Sequence, residues 1–311
     1  MKAANFSSPG LGDGLIAIAL SHNLYLNDIQ IDTFHSSLSQ MQSYFPHLLI
    51  KNYPQIDEIP KILDSFDQIF ISYNENSPFI MKLILDGKNF YPKKIFVLNP
   101  CPSKKLGGQP YFEDAFFKPN LSMVDNIDLF CNNVLKLKKT SKKIDLTIPT
   151  NLIFQKFKKR IIFHPSGAKK SKNWQIQKYI KLAKYLIDKG FEPVFVVSEN
   201  ETNEFVDIEK QNLDLKSFDN LNDLAAFIYE SSFMIGNDSG IGHLSSFLGL
   251  DTISIFRNHR SASLWRPSWS QNKTVFPNRF IPNISFYRLR DKHWKIFIST
   301  RQILKYFDEM I

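Results

Sequence analysis

Short apolar runs alternate with longer amphipathic stretches along the whole chain. Short runs of apolar, β-branched and aromatic residues predict buried strands, whereas apolar residues that recur every three or four positions predict helices. In the first half, strands are predicted over 29–34, 68–72 and 94–98, with a weak opening strand over 3–6, and helices over 13–26, 77–86 and 123–135. In the second half, strands are predicted over 160–164, 193–197, 233–236 and 252–256, and helices over 175–189, 221–229 and 240–248. This alternation is typical of parallel sheets with crossover helices, so both halves are predicted to be α/β.

The length of the chain predicts two domains, because 311 residues exceed the usual size of a single core. We predict one α/β domain over 1–150, a second one over 151–290, and a C-terminal helix over 291–311. The Lys-rich segment 136–159 has no strong apolar period, which favours an exposed interdomain linker. The alternative is a basic rim that contacts an anionic membrane or a phosphorylated glycolipid.

Charge is divided unevenly between the halves. Residues 1–150 carry 15 Lys, no Arg and 14 Asp and Glu, so +8 of the net charge of +9 lies in 151–311, where we expect an anion to bind. No nucleic-acid-binding module is recognisable, and nucleic acid is not expected as a partner. No stretch approaches the roughly 20 apolar residues of a membrane span, which predicts a cytoplasmic protein. Cys101 and Cys131 match neither a disulfide framework nor a zinc site, and we expect two buried thiols.

Three segments place glycine or small polar residues where a strand hands over to a helix. Helix N-termini expose unpaired N–H groups and a partial positive charge, so such junctions suit phosphate. The strongest is G-N-D-S-G-I-G-H-L over 236–244, in which Asp238 or Ser239 can cap the helix and Gly240 lets a ligand approach the backbone. His243 follows one turn into the helix. The alternative is a capped helix without a ligand.

The second segment is F-H-P-S-G-A over 163–168, followed by K-K-S-K-N-W over 169–174. The spacing is not that of a Walker A loop. Lys172 could still act as a point charge on a diphosphate, the alternative being a solvated lysine.

The third segment is G-L-G-D-G over 10–14. A dinucleotide fingerprint with Asp32 as the ribose acid fails, because its third glycine would fall at Leu15. Asp13 in this glycine loop suits a general base, since the flanking backbone can come close to a substrate hydroxyl. The alternative is a helix cap.

Together and in this order, the three segments resemble glycosyltransferase family 9, the ADP-heptose:lipopolysaccharide heptosyltransferases. The G-D-G-L segment at 12–15 resembles that family's G-D-V-L. Residues 164–167 with 172–174 resemble its P-G-A-S followed by K-x-W, and N-D-S-G-I-G-H-L-S-S-F-L-G over 237–249 is similar to its D-S-G-P-G-H-L-A-A-A-L-G.

The resemblance implies a GT-B architecture, with two facing Rossmann-like domains, the acceptor in the first (1–150) and the nucleotide-sugar donor in the second (151–290). By analogy with GT-B proteins, the C-terminal helix over 291–311 would pack back on the first domain. It implies an inverting transfer without a metal or a cofactor, in which Asp13 is the catalytic base. By the same likeness, the donor diphosphate would be bound by Ser166, Gly167, Lys172, Ser239, Gly240 and His243. Asp238 would contact donor hydroxyls, and Glu201 would reach the ribose.

Departures from the family pattern bear on the substrates. Gly14 replaces an aliphatic residue, and the usual G-P-T-D-P after the strand at 252–256 is replaced by R-N-H-R over 257–260. Family members that act on phosphorylated inner core use arginines in the first domain, and residues 1–159 contain none. Lys can replace the charge of Arg but not its bidentate geometry, so the acceptor is open.

The sequence therefore predicts a glycosyltransferase that moves a heptose from ADP-heptose to a lipopolysaccharide core or another surface glycan. It would work in the cytoplasm, with the inner face of the inner membrane as the site of a peripheral contact. One alternative keeps the fold and changes the donor to a UDP- or GDP-sugar. Another is a sugar-nucleotide-binding protein without turnover.

Overall fold

The computed structural model describes residues 1–98, 118–167, 169–278, 280–283 and 289–311. Two compact units divide the chain, Met1–Pro149 and Thr150–Ile311. The division falls one residue before the boundary predicted from the sequence. Cys101 lies outside the described residues.

Within its described residues, the first unit is a parallel sheet with helices between the strands. Its strands are β1 (Lys2–Phe6), β2 (Gln30–Phe34), β3 (Leu49–Lys51), β4 (Gln68–Ser72) and β5 (Ile95–Leu98). Its helices are α1 (Leu11–Tyr25), α2 (Ile59–Ser65), α3 (Pro78–Phe90) and α4 (Met123–Leu129), the last continued by a π-helical turn over Phe130–Val134. The strand order is β3-β2-β1-β4-β5, with every described pair parallel.

The second unit repeats this plan. Its strands are β6 (Phe157–His164), β7 (Glu192–Val196), β8 (Asp214–Lys216), β9 (Ser231–Asn237), β10 (Asp251–Ile255) and β11 (Asn272–Val275). Its helices are α5 (Ile176–Asp188), α6 (Val206–Glu209), α7 (Leu221–Tyr229), α8 (Gly240–Phe247), α9 (His259–Trp265), α10 (Leu289–Lys292) and α11 (Thr300–Asp308). The described strands are parallel in the order β11-β10-β9-β6-β7-β8.

The weak opening strand is the central strand of the first sheet. β1 pairs with β2 on one side and β4 on the other, and Ala3, Ala4 and Phe6 are fully buried. The rings of Phe6 and Phe34 stack at 4.3 Å. A strand covered on both faces needs no polar alternation, and small residues let the covering helices approach. The short segment gave a weak sequence signal for this reason.

The last helix belongs to the core of the second unit, which corrects the prediction that it packs back on the first domain. Ile303 and Phe307 of α11 are buried, and the Phe307 ring packs edge-on against Phe191 at 5.2 Å and Phe233 at 5.1 Å. Trp294 and Ile298, which precede α11, lie in the same cluster. The amphipathic pattern predicted a packed helix but not which sheet it would cover.

The segment after α4 is bound to the first unit by hydrogen bonds and by a buried side chain. Asn27 Oδ1 accepts hydrogen bonds from the backbone N–H groups of Lys138 and Lys139 at 2.9 and 3.1 Å. Ile144 is buried, whereas the lysine side chains are exposed. The predicted interdomain linker, 136–159, is therefore packed against the first unit over part of its length. Among the described residues, no helix is both long and apolar enough to cross a membrane.

Cys131 is a free thiol buried in the first unit. Burial raises its pKa to about 12. It is therefore an inert core residue, as predicted for this position.

Candidate active site

Two of the predicted segments meet at the carboxyl edge of the second sheet. β6 and β9 are neighbours, with His164 paired to Gly236, so the loops that follow both strands emerge side by side. A Cβ atom on Gly236 would lie 2.8 Å from the His164 carbonyl oxygen on the neighbouring strand. Glycine, which has no Cβ atom, avoids this clash. Ligands of open parallel α/β sheets bind outside the carboxyl ends of the strands.

Asn237 joins the two loops. Its side-chain N–H₂ donates to the Pro165 carbonyl at 2.5 Å, and its Oδ1 accepts from the backbone N–H of Trp174 at 3.0 Å. The hydroxyl of Tyr179 on α5 donates to the same oxygen at 3.1 Å. Asn237 is buried, so these bonds set the spacing between the loops. The sequence alone gives Asn237 no role, because nothing in the order of the chain relates it to Pro165 or Tyr179.

Gly167 lies where the two loops come close together. A Cβ atom there would lie 3.0 Å from the backbone oxygen of Asp238 and 3.4 Å from Oδ1 of Asn173. Any side chain at 167 would push the two segments apart. Gly167 and Asp238, which the resemblance assigns to the donor site, are thus neighbours in the fold.

Lys172 and Asp238 form an ion pair across this edge, with Nζ and Oδ2 3.4 Å apart. Asp238 has 16% of its side chain exposed, whereas Lys172 has 41%. Burial raises the pKa of the Asp238 carboxyl, and the Lys172 ammonium acts in the opposite direction. The cation is therefore accessible, and its contact with Asp238 is long enough for an anionic ligand to displace.

Ser239 caps α8. Its hydroxyl accepts from the backbone N–H of Gly242 at 3.3 Å, and its carbonyl accepts from the N–H of His243 at 3.3 Å. Ser239 and Gly240 are half-buried, so the start of the helix is open to a ligand. Of the two caps that the sequence offered, Asp238 and Ser239, the helix uses Ser239.

Ser166 and Glu201 are brought together on the other side of the β6 loop. The Ser166 hydroxyl lies 3.0 Å from Glu201 Oε2, which also accepts from the hydroxyl and backbone N–H of Ser198 at 2.6 and 3.2 Å. Burial opposes ionisation of Glu201, but the bonds from Ser198 and Ser166 outweigh it and lower the pKa of the carboxyl. Glu201 is thus an oriented carboxylate at the edge where the resemblance predicts a ribose.

His164 lies beneath this pair. It is buried, and its Nδ1 is 2.7 Å from the Val196 carbonyl, which makes Nδ1 the donor and Nε2 the acceptor. Nε2 is 3.3 Å from the Ser166 hydroxyl. Burial lowers the pKa of His164. The neutral His164 ring therefore supports the loop after β6 through its contact with Ser166.

His243 points into the second unit rather than along the edge. Its ring is buried, packs edge-on against Trp269 at 5.9 Å, and donates to the backbone carbonyl of Trp265. Burial lowers the pKa of His243 to about 4. The ring is therefore neutral at physiological pH and supports the end of α9. Its predicted contact with phosphate stays a prediction.

This depressed pKa gives a stability prediction. The folded protein binds fewer protons at His243 than the unfolded chain between about pH 6.5 and pH 4, so stability is lost as the pH falls through this range. We expect the free energy of unfolding of the wild type to fall over this range by about 3 kcal/mol more than that of His243→Gln. Urea denaturation at a series of pH values measures the difference. The exposed His259→Gln should behave as wild type, and parallel curves for wild type and His243→Gln would contradict the prediction.

Asp13 lies in the first turn of α1 in the first unit. A Cβ atom on Gly10 would be 2.6 Å from Asp13 Oδ2, so the carboxylate folds back over the glycine before the helix. The N-terminal end of a helix stabilises a negative charge. Burial raises the pKa of Tyr53 to about 12, and the nearby charge of Asp13 acts in the same direction.

The unusual Gly14 has a packing explanation. A Cβ atom there would lie 2.7 Å from the ring of His35 and 2.7 Å from a methyl group of Leu38. His35 Nδ1 accepts from the Leu38 N–H at 3.1 Å, so Nε2 carries the proton and donates to the Gly10 carbonyl at 3.1 Å. His35 thus fills the volume of an aliphatic side chain at 14 and fixes the loop that precedes Asp13.

Comparison with known families decides the identity of this arrangement. The model of glycosyltransferase family 9 (heptosyltransferase) matches residues 123–291, more than half of the chain. The chain belongs to this family. The family 9 protein is therefore a glycosyltransferase, as the sequence motifs predicted. No curated protein sequence matches the chain significantly.

Solved structures show the fold of this family 9 protein. It is similar to ADP-heptose LPS heptosyltransferase II of E. coli, with a TM-score of 0.67 and 16% identity over 99% of this chain and 98% of that one. A family 9 glycosyl transferase from Veillonella parvula DSM 2008 gives a TM-score of 0.67 at 14% identity, over 99% and 96% of the two chains. E. coli heptosyltransferase WaaC with ADP gives 0.64 at 12% identity, over 99% of each chain. The predicted GT-B fold is confirmed.

Proposed function

We propose that this family 9 protein transfers a heptose from ADP-heptose to a hydroxyl group of a lipopolysaccharide core or another surface glycan, with inversion and without a metal. The observation that carries the donor side is the Lys172–Asp238 pair, which lies where the β6 and β9 loops meet the capped start of α8. A cation, open helix amides and a close glycine contact are what a nucleoside diphosphate requires.

In this proposal, Lys172, Ser166, Gly167, Ser239 and Gly240 bind the donor diphosphate. Lys172 exchanges its long contact with Asp238 for a phosphate oxygen, which leaves the Asp238 carboxylate to accept from donor hydroxyls. His243 joins this set through the helix that it anchors.

Glu201 is proposed to bind the ribose. Its carboxylate is already ionised and oriented by Ser198 and Ser166, so it can accept from hydroxyl groups without rearrangement.

Asp13 is proposed as the general base. It takes the proton of the acceptor hydroxyl while that oxygen attacks the anomeric carbon from the face opposite the diphosphate. The bond between the anomeric carbon and the diphosphate oxygen breaks, and ADP leaves with the bonding electron pair. Lys172 and the amides of α8 stabilise the negative charge that develops on the departing phosphate.

A UDP- or GDP-sugar donor is the second candidate, favoured by the replacement of G-P-T-D-P with R-N-H-R at 257–260. A thermal-shift screen against ADP, UDP, GDP and CDP at millimolar concentration separates the two. A ligand at a hundred times its dissociation constant adds about 2.7 kcal/mol to stability, and we expect this gain for ADP alone. Selective stabilisation by UDP or GDP would replace the donor, and no response to any nucleotide would contradict the proposed donor site.

The glycan acceptor gives a reason to propose contact with an anionic membrane. Lys138, Lys139, Lys142 and Lys143 lie on the anchored segment after α4 and are exposed, and Lys142 Nζ also pairs with Asp125 Oδ1 at 2.6 Å. Each basic residue near an anionic surface contributes about 1 kcal/mol at low salt.

We expect alanine at these four positions to weaken sedimentation with liposomes containing phosphatidylglycerol at least tenfold at low salt. The effect should vanish at high salt, where charges are screened. Alanine at Lys181, Lys184, Lys189 and Lys210, which are also exposed, is the matched control. Equal binding by both quadruple variants would contradict the membrane contact.

A further inference from the structure

Arginine is scarce in this chain and concentrated in one stretch. The chain has 31 Lys and 8 Arg, and six of the arginines lie between residues 257 and 290. Residues 252–290 contain no Asp or Glu. A lysine-rich chain that changes to arginine over one acid-free stretch indicates a requirement for the guanidinium group rather than for charge alone.

The start of this stretch lies next to the candidate donor site. β10 pairs with β9 through Ile255 and Asn237, and the backbone N–H of Asp238 donates to the Ile255 carbonyl at 3.1 Å. Arg257 therefore follows β10 at the same edge at which Asp238 follows β9. On the other side, the ring of His259 packs edge-on against Phe276, which follows β11, at 5.1 Å.

The backbone of this stretch is well anchored. Asn258 Oδ1 accepts from the N–H of Ser261 at 2.9 Å and caps α9. The end of α9 is held by the bond from His243 to the Trp265 carbonyl, and Trp269 packs against Phe247 at 5.3 Å. These contacts thus hold in place the backbone that carries Arg257 and Arg260.

Arg257 and Arg260 themselves are exposed. Within the described part of the chain, neither has an ion-pair or hydrogen-bond partner, whereas the Lys172 cation at the same edge is paired with Asp238. No described carboxylate neutralises these two guanidinium groups, and each can hold an oxyanion with bidentate hydrogen bonds.

We propose that Arg257 and Arg260 form a second anion-binding site, separate from the donor diphosphate site, which holds a phosphate or carboxylate group of one of the sugar substrates. The anion site stands on the placement of the arginines, and its assignment to a substrate rests on the proposed glycosyl transfer. The heptose of the proposed donor carries no such group outside the diphosphate, so with that donor the anion belongs to the glycan acceptor; an acidic donor sugar in place of the heptose is the alternative that the kinetics below distinguish. The site would supply the arginine contacts that residues 1–159 lack.

Titration calorimetry with inorganic phosphate on protein saturated with ADP tests the site. We expect wild type to bind phosphate and Arg257→Gln/Arg260→Gln to bind it at least roughly tenfold more weakly, because hydrogen bonds to charged groups are lost. Arg257→Lys/Arg260→Lys should bind phosphate with intermediate affinity, since lysine keeps the positive charge but cannot form bidentate hydrogen bonds. Lys181→Gln/Arg301→Gln removes two exposed charges elsewhere in the second unit and should behave as wild type.

The affinity for ADP is measured first, in wild type and in every variant. Absence of ADP binding in wild type would overturn the proposed donor site and not this anion site. Absent phosphate binding in ADP-saturated wild type, or equal phosphate affinity in the glutamine variant, would overturn the second site. Steady-state kinetics then identify the source: an increased KM for the donor assigns the anion to the donor sugar, and an increased KM for the acceptor assigns it to the glycan. Unchanged KM values for both substrates would overturn the assignment to a substrate.

Discussion

Replacing Asp13 with Asn is expected to lower kcat by about a thousandfold, within the range that general-base catalysis contributes. The amide keeps the shape of the side chain over Gly10 but cannot accept the proton of the acceptor hydroxyl. The affinity for ADP should stay within about twofold of wild type, because the proposed donor contacts all lie in the second unit. Initial rates at saturating donor and acceptor, together with calorimetry of ADP binding, measure both quantities.

Asp57→Asn is the control for this change, since Asp57 is an exposed carboxylate of the same unit. It should leave kcat unchanged. Wild-type activity in Asp13→Asn would remove Asp13 from the catalytic role. Loss of ADP binding in the same variant would indicate a structural effect instead.

Replacing Lys172 with Ala is expected to raise the dissociation constant for ADP by roughly 10- to 100-fold, which corresponds to about 1.5–3 kcal/mol for a charged hydrogen bond. The variant also leaves Asp238 without its cation, at the point where the diphosphate would be bound. Anion repulsion then adds to the lost attraction. The thermal shift with ADP and calorimetric titration measure the change.

Lys170 offers a matched control in the same loop. It pairs with Glu204 at 2.7 Å and has 79% of its side chain exposed, so Lys170→Ala removes the same charge away from Asp238. Its affinity for ADP should stay close to that of wild type. Equal losses in both variants would mean that Lys172 acts only through the general positive field, and no loss in Lys172→Ala would exclude it from the donor site.

The sequence predicted most of the elements near their observed bounds, because strand and helix periods are local properties. β4 and α7 have the predicted ends, and the G-N-D-S-G segment starts α8 with Ser239 as its cap. Short edge strands such as β3 and β11 were missed, since three or four residues give no measurable period. The family was also recognisable, because its motifs are contiguous in the chain.

The C-terminal helix shows the limit of such reasoning. Its amphipathic face required burial, but a hydrophobic stripe carries no information on which sheet it covers. The actual partners, Phe191 and Phe233, are more than 70 residues away in the chain. Analogy with GT-B proteins suggested a return to the first unit, and packing placed the helix in the core of the second.

By itself, the sequence determined that this chain has two α/β units and to which glycosyltransferase family it belongs. It also determined which segments at the ends of strands carry residues suited to phosphate. Only the tertiary structure decided how those segments are held. It showed Asn237 as the residue that joins the loops, His243 as a buried support beneath α9, and Arg257 beside Asp238 at the same edge. The physical reason is that secondary structure follows local periodicity, whereas a site is assembled by strand register and side-chain hydrogen bonds between residues far apart in the chain.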